Sequence, residues 1–404
     1  MTNQLVYGAA GVGCVVGLTW AGVGERGLKP GHGEGFVLAG EPVPVGPMAG
    51  TPVASDVDGD GDLDVVVACG PCCGRDADPA SGHVVVLLND GSGVLSHAGD
   101  PVKLLESALG VAVGLIDRDG IPDAVVYHHD DYRVGLLRGR AGGGFGEPEY
   151  LALAEGASPH VHSVALADVN GDGHLDVCAT LVDDHAMAVL LGDGRGGFAA
   201  SVGSPYFAMR HPYQQLNLVE VTGDGHLDAV LTDVRGNGLT VLAGSGTGMF
   251  APSRGFTLNA HTPIASAERP MAAAVGDVDG DGDLDAVCVI EESPLAVVME
   301  NIGGGVYREH AQNPLGLAVA STSIALGDLN GDGVLDVVAG GTMTDRVSVC
   351  VGSGDGTFDE PEEIRVEGQS PSVLLADLDG DGRLDIVTGN YDSGTVSVLL
   401  NRVE

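Results

Sequence analysis

Along the chain, apolar runs dominated by Val, Ala and Leu alternate with short segments crowded with Asp and Gly. The run Val161 to Ala167, for example, is followed at once by Asp168-Val-Asn-Gly-Asp-Gly-His-Leu-Asp176 and then by a second run, Val177 to Val182. Runs of this length bounded by Gly and Asp predict short buried strands joined by tight turns. The pattern recurs seven times. Full copies of D-x-[DN]-x-D-G-x-L-D begin at Asp56, Asp168, Asp277, Asp328 and Asp377, and degraded copies begin at Leu115 and Glu220. Successive starts lie 59, 53, 52, 57, 51 and 49 residues apart. A period near fifty is that of one four-stranded blade, and seven such units close a ring. The predicted fold is therefore an all-β, seven-bladed β-propeller over residues 32–404, preceded by a segment, 1–31, without an assigned role.

A second signature runs out of phase with the first. G-x-G-x-[FLY], or a close variant, ends at Phe36, Leu95, Phe145, Phe198, Phe250, Tyr307 and Phe358. Its first copy precedes the first Asp-rich motif, and the chain stops at Leu399-Leu400-Asn401 where an eighth copy would follow. The last blade is thus expected to be finished by the strand after Phe36, which closes the ring and leaves no open edge.

Each full motif offers side-chain oxygens at positions 1, 3, 5 and 9, with Gly at position 6 for the sharp turn. Hard oxygen ligands in this number suit calcium. The first five positions mimic an EF-hand loop, but position 12 of the first copy is Val67 rather than Glu, and Val65-Val66-Val67 continues as a strand. The candidate ligands are Asp56, Asp58, Asp60 and Asp64; Asp168, Asn170, Asp172 and Asp176; Asp277, Asp279, Asp281 and Asp285; Asp328, Asn330, Asp332 and Asp336; Asp377, Asp379, Asp381 and Asp385. The degraded copies retain Asp117, Asp119 and Asp123 in one and Glu220, Asp224 and Asp228 in the other. Five to seven calcium ions are expected. Asp-Gly is also an ordinary hairpin dipeptide, but four carboxylates within nine residues repel one another unless a cation sits among them.

Charge follows from the motifs. The 404 residues carry a formal charge of -39, from 57 acids against 18 bases, and 26 of those acids lie in the seven motifs. So acidic a chain is a poor partner for nucleic acid or an anionic membrane, and no apolar run reaches the length of a membrane helix. Residues 5–20 are apolar but lack the preceding positive charge of a signal peptide. Of the seven cysteines, Cys178, Cys288 and Cys350 sit in apolar runs and are expected to be buried thiols. Cys69-Gly-Pro-Cys72-Cys73 copies a redox C-x-x-C, yet it follows a strand and enters a Gly- and Pro-rich loop, which favours a structural disulfide over catalysis.

These motifs resemble the FG-GAP, or VCBS, repeat, best known from integrin alpha subunits, and the resemblance covers residues 32–401. It implies calcium loops between the first and second strands on a lower face, and partners bound on the upper face. The upper-face loops would then carry His128, His129, Asp131, His160, His162, His211 and Tyr213, which belong to three consecutive blades and are candidates to converge on a polar ligand or a transition metal. Paired histidines and aspartates are also ordinary on solvated hairpin tips. The expected function is an extracellular interaction module that binds protein or carbohydrate, with a metal- or acid/base-dependent enzyme of the histidine cluster as the alternative. A lectin with seven equivalent sites is not expected, because the lone tryptophan, Trp20, lies outside the repeats. No HExxH motif, phosphate loop or Ser-His-Asp order supports the enzyme.

Overall fold

The computed structural model describes residues 7–8, 12–13, 35–70, 82–105, 107–129, 131, 133–154, 160–208, 211–235, 238–257 and 269–402. Residues 35–402 of these form seven antiparallel sheets arranged as a ring, and 7–8 pairs with 12–13 as a separate two-stranded sheet, with no helix among the described residues. Accordingly, no helix there is long and apolar enough to cross a membrane.

Six blades are four-stranded meanders of consecutive strands, and the seventh takes its outer strand from the N-terminal side of the chain. Blade 3, for instance, runs Val161–Ala167, Asp176–Leu181, Ala186–Gly192 and Phe198–Ala200. The Asp-rich motif always joins the first, innermost strand to the second, and the aromatic signature opens the fourth strand or bridges to the third. Blades 1, 3, 5 and 7 gain a short fifth segment on the outer half of their third strands, such as Tyr206–Phe207 against Ala186 and Met187.

A blade is sandwiched between two neighbours, so its second strand is covered on both faces, and Asp176–Leu181 and Asp285–Ile290 are buried at every position. This is why these segments read as continuous apolar runs rather than alternating ones. The core is divided accordingly into seven clusters, each built from the facing sheets of one adjacent pair of blades.

Ring closure follows the sequence expectation. Phe36–Leu38 pairs with the last strand, Thr395–Asn401, in the register Phe36 to Asn401 and Leu38 to Leu399, and supplies the outer strand of blade 7. Further along, Val43–Pro44 pairs with the same strand. Two short segments of the N-terminal region, Tyr7–Gly8 and Val12–Gly13, pair with each other and pack against innermost strands of the ring. Cys69, Cys178, Cys288 and Cys350 are buried free thiols. The disulfide expected around Cys69 involves Cys72 and Cys73, which lie outside the described residues, and burial pushes the Cys69 thiol up to about 12, far from the range of a reactive cysteine.

Candidate functional site

The lower face is organised by the ninth residue of each motif, which opens the second strand. Asp64, Asp123, Asp176, Asp228, Asp285, Asp336 and Asp385 are all fully buried. One oxygen of each accepts the N–H of the residue at or just past the end of the third strand, at 2.8–2.9 Å, from Asn89, Gly139, Gly192, Gly244, Asn301, Gly352 and Asn401. In six of the seven the other oxygen accepts the N–H of motif position 2, as Val57 donates to Asp64 at 3.0 Å. This carboxylate therefore ties three strands' ends together before any ion is considered. Burial without a cation is costly for it: Asp123, Asp176 and Asp385 are pushed up to about 6, and Asp285 and Asp336 to about 7, burial being the first cause in each.

Position 1 shapes the loop by accepting backbone N–H groups, Gly59 and Gly61 donating to Asp56 at 2.7 and 3.1 Å. Position 5 accepts a local bond from position 7, Asp62 N–H to Asp60 at 2.9 Å. Three loops bring carboxylate oxygens of positions 1, 3 and 9 within 4.8 Å of one another: Asp56, Asp58, Asp64; Asp277, Asp279, Asp285; and Asp377, Asp379, Asp385. Asp379 also buries an oxygen, Oδ1, that has no hydrogen-bond partner. Converging hard oxygens, carboxyls pushed up by burial and an orphaned lone pair all fit a calcium ion. Asn170 and Asn330 instead turn their amides toward Asp172 and Asp332, at 3.0 and 3.1 Å. In the copy beginning at Glu220, Gly223 donates to the Glu220 side chain at 2.5 Å, so the longer acid caps the same turn.

Blade 7 keeps its ligands but also sets the Arg402 guanidinium 2.5 Å from Asp379 and 3.0 Å from Asp381, and blade 2, without the first ligand, has an arginine of its own. The guanidinium of Arg138 lies 3.3 Å from Asp117 and 3.8 Å from Asp123, and donates to the Gly196 carbonyl at 2.8 Å. Gly196 has a positive φ, and a Cβ there would meet that guanidinium at 1.9 Å. The loop that lost its first ligand thus carries a cation of its own.

On the upper face the structure divides the predicted residues. His129, at the end of the second strand of blade 2, and His160 and His162, entering blade 3, turn their rings toward one another. His160 Nε2 lies 3.0 Å from His129 Nε2 and 2.7 Å from His162 Nε2. Tyr213, entering blade 4, stacks on His162 with ring centres 4.1 Å apart. Burial, then the neighbouring imidazoles, hold His162 well below the ordinary histidine range. His128 is the preceding residue of an extended strand, so its ring takes the opposite side, buried near Tyr150. Asp131 is held by Arg133, and His211 packs on His185 with ring centres 4.3 Å apart. Ser158, Pro159, Asp130 and Arg210 of these loops lie outside the described residues.

Beside the three imidazoles an axial cavity of about 550 Å³ opens at this end of the ring. Every blade contributes to its wall, including Thr51, His129, His162, Gln215, Thr322 and Tyr391.

The model of the FG-GAP-like repeat matches residues 56–126, 116–179, 221–288 and 328–388. The chain belongs to the FG-GAP-like repeat family. No curated protein matches the sequence significantly. Among solved structures, this FG-GAP chain is similar to a lectin of Agrocybe aegerita that recognises non-reducing terminal N-acetylglucosamine, with 19% identity, a TM-score of 0.55, and coverage of 89% of this chain and 87% of that one. It is also similar to BBS1N, solved in complex with ARL6DN, at 9% identity and TM-score 0.62 over 91% and 97% of the two chains. A third similar structure is virginiamycin B lyase of Staphylococcus aureus, at 13% identity and TM-score 0.54 over 90% and 99%. At these identities the likeness is one of fold.

Two features of the FG-GAP ring escaped the sequence reading. Arg138 becomes visible only when the blades are laid on one another, where its position holds Leu88, Leu191, Ala243, Glu300, Val351 and Leu400 elsewhere. The cavity wall is drawn from a few residues of each of the seven blades, which no local motif announces.

Proposed function

We propose that this chain is a calcium-stabilised binding module that works outside the cytosol and holds a hydroxyl-rich ligand, the terminus of a glycan, in the axial cavity of its upper face. The observation that carries this reading is the cavity. Its volume is in the range of small-ligand sites, and hydroxyl, amide, phenol and imidazole groups of Thr51, Gln215, Thr322, Ser372, Tyr391 and His129 line it. Such groups exchange hydrogen bonds with sugar hydroxyls, and the rings of Tyr213 and Tyr391 add apolar faces. The lectin of the same fold supports the choice of ligand class. Calcium belongs to the opposite face, where weak loops of this kind fill at the roughly 10⁻⁴ to 10⁻³ M affinities of extracellular modules.

The test is a panel of oligosaccharides with different non-reducing ends, titrated into the calcium-loaded chain by calorimetry. At least one terminus should bind with one site per chain, and Thr322→Trp, which fills the cavity from the innermost strand of blade 6, should abolish it. If no member binds, or if the tryptophan leaves binding intact, the cavity is not the site. Elemental analysis of the same preparation should return five or more calcium ions per chain, and two or fewer would remove the calcium reading.

A further inference from the structure

We propose that His129, His160 and His162 form a site for one divalent transition ion of the zinc class, with the fourth coordination position facing the axial cavity. The valence of an imidazole is what makes the arrangement informative. Each Nε2 has one in-plane direction, occupied by either a proton or a lone pair. His160 Nε2 faces two other ring nitrogens at once, at 2.7 and 3.0 Å. A single proton cannot lie straight along both contacts, whereas a cation at the common point accepts a lone pair from each ring.

The dimensions agree with that ion. Zinc–nitrogen bonds of about 2.0–2.1 Å in a tetrahedron place the nitrogens about 3.3 Å apart, and the three nitrogens all lie within 4.8 Å of one another, with two separations already shorter than the ideal. Small ring rotations open them to the required spacing. The donor set selects the ion: three imidazoles suit zinc, copper, nickel or iron and are poor ligands for calcium. The two faces of the ring would therefore hold different metals.

A second, independent feature points the same way. Asp183 lies 3.3 Å from the other ring nitrogen of His160, the arrangement by which a carboxylate fixes the tautomer and orientation of a metal-binding imidazole. His160 is itself 27% exposed on its side chain, which gives the ion an entry path. His129 and His162 line the cavity, so a bound ion would present its remaining position to whatever occupies it, as a Lewis acid for an oxygen donor.

The inference rests on the upper face being the functional face, but its test needs no glycan. Full-length chain in excess calcium, freed of transition metals, is titrated with Co²⁺, whose visible absorption reports tetrahedral coordination, and with Zn²⁺ by calorimetry. One equivalent of each should bind, Co²⁺ with the intense bands of a tetrahedral site. His129→Ala and His160→Ala should each weaken binding about 100-fold or more, and Asp183→Asn about 10-fold, with calcium content unchanged. Should His160→Ala fail to fold, His129→Gln and Asp183→Asn read the same affinity. Absence of tetrahedral bands, or affinity unaltered in the histidine variants, overturns the proposal. Cobalt binding in a chain that takes no glycan supports the metal site and refutes only the glycan reading, while glycan binding without cobalt binding does the reverse.

Discussion

Arg138 stands where the other blades place Leu88, Leu191, Ala243, Glu300, Val351 or Leu400, and it answers the charge of Asp117 and the buried Asp123 from inside the chain. Arg138→Ala should then cost about 1–3 kcal/mol, because it leaves a buried carboxylate unpaired while the arginine itself is partly exposed, and calcium should restore part of the loss. A variant as stable as the parent in both buffers would show that the guanidinium is incidental. The ninth-position aspartates make a separate prediction about pH. In the metal-free chain Asp64, Asp123, Asp176, Asp285, Asp336 and Asp385 are all raised by burial, from an unfolded value near 3.9. A raised carboxyl stabilises the fold below its unfolded value and loses that contribution as pH climbs through the folded one. His162 and His211, both lowered first by burial, act in the opposite sense as pH falls through about 6.5, but they are two against six. Metal-stripped protein should therefore melt higher at pH 5.5 than at pH 7.5, and saturating calcium, which favours the ionised form, should flatten or reverse that slope. A metal-stripped melt that rises with pH would contradict the assignment. At this scale the sequence disclosed the motif oxygens plainly, since their spacing is local. It could not separate His128 from His129, because which of two adjacent residues faces the axis is fixed by the pleat of a strand whose register depends on its neighbours.

Strands in this molecule are short, and side chains of the blade alongside add to the ladders that hold them. Asn401 donates to the Leu329 carbonyl of blade 6 at 2.7 Å, Asn89 to Leu378 of blade 7 at 2.7 Å, and Asn301 to Val221 of blade 4 at 3.1 Å. Gly93, with φ of 81°, leaves room for Leu400 of blade 7, which a Cβ would meet at 2.6 Å. The closing strand has the same dependence. Removing residues 36–44 should free the amides of Thr395–Asn401, whose outer partner is Phe36–Leu38, and hydrogen exchange should show blade 7 losing protection before blades 3 to 5. Protection of blade 7 equal to that of the intact chain would place the closure elsewhere. This element was legible in advance because the aromatic signature occurs once more before the first Asp-rich motif than after the last. The fifth segments, such as Tyr206–Phe207 and Leu315–Gly316, were not, since two residues carry too little periodicity to declare a strand.

The two faces of the ring are built differently. One face repeats a loop that differs little from blade to blade, and the other gathers unlike residues from every blade around one cavity. Repeats disclose the first face, because self-similarity is a property of sequence, and conceal the second, because a wall assembled from unlike residues of seven blades has no local period. Closure through the N-terminal strand has a further consequence for how the ring comes into being. Phe36 and Asn401 are paired partners far apart in the sequence, so during synthesis the first must wait for the second. At ordinary translation rates that interval is on the order of 20–70 s, during which an unpartnered sheet edge is available to other chains. The nascent polypeptide is therefore most vulnerable to association before the strand Thr395–Asn401 emerges, and the arrival of that strand, rather than the folding of any one blade, is the moment at which the ring is sealed.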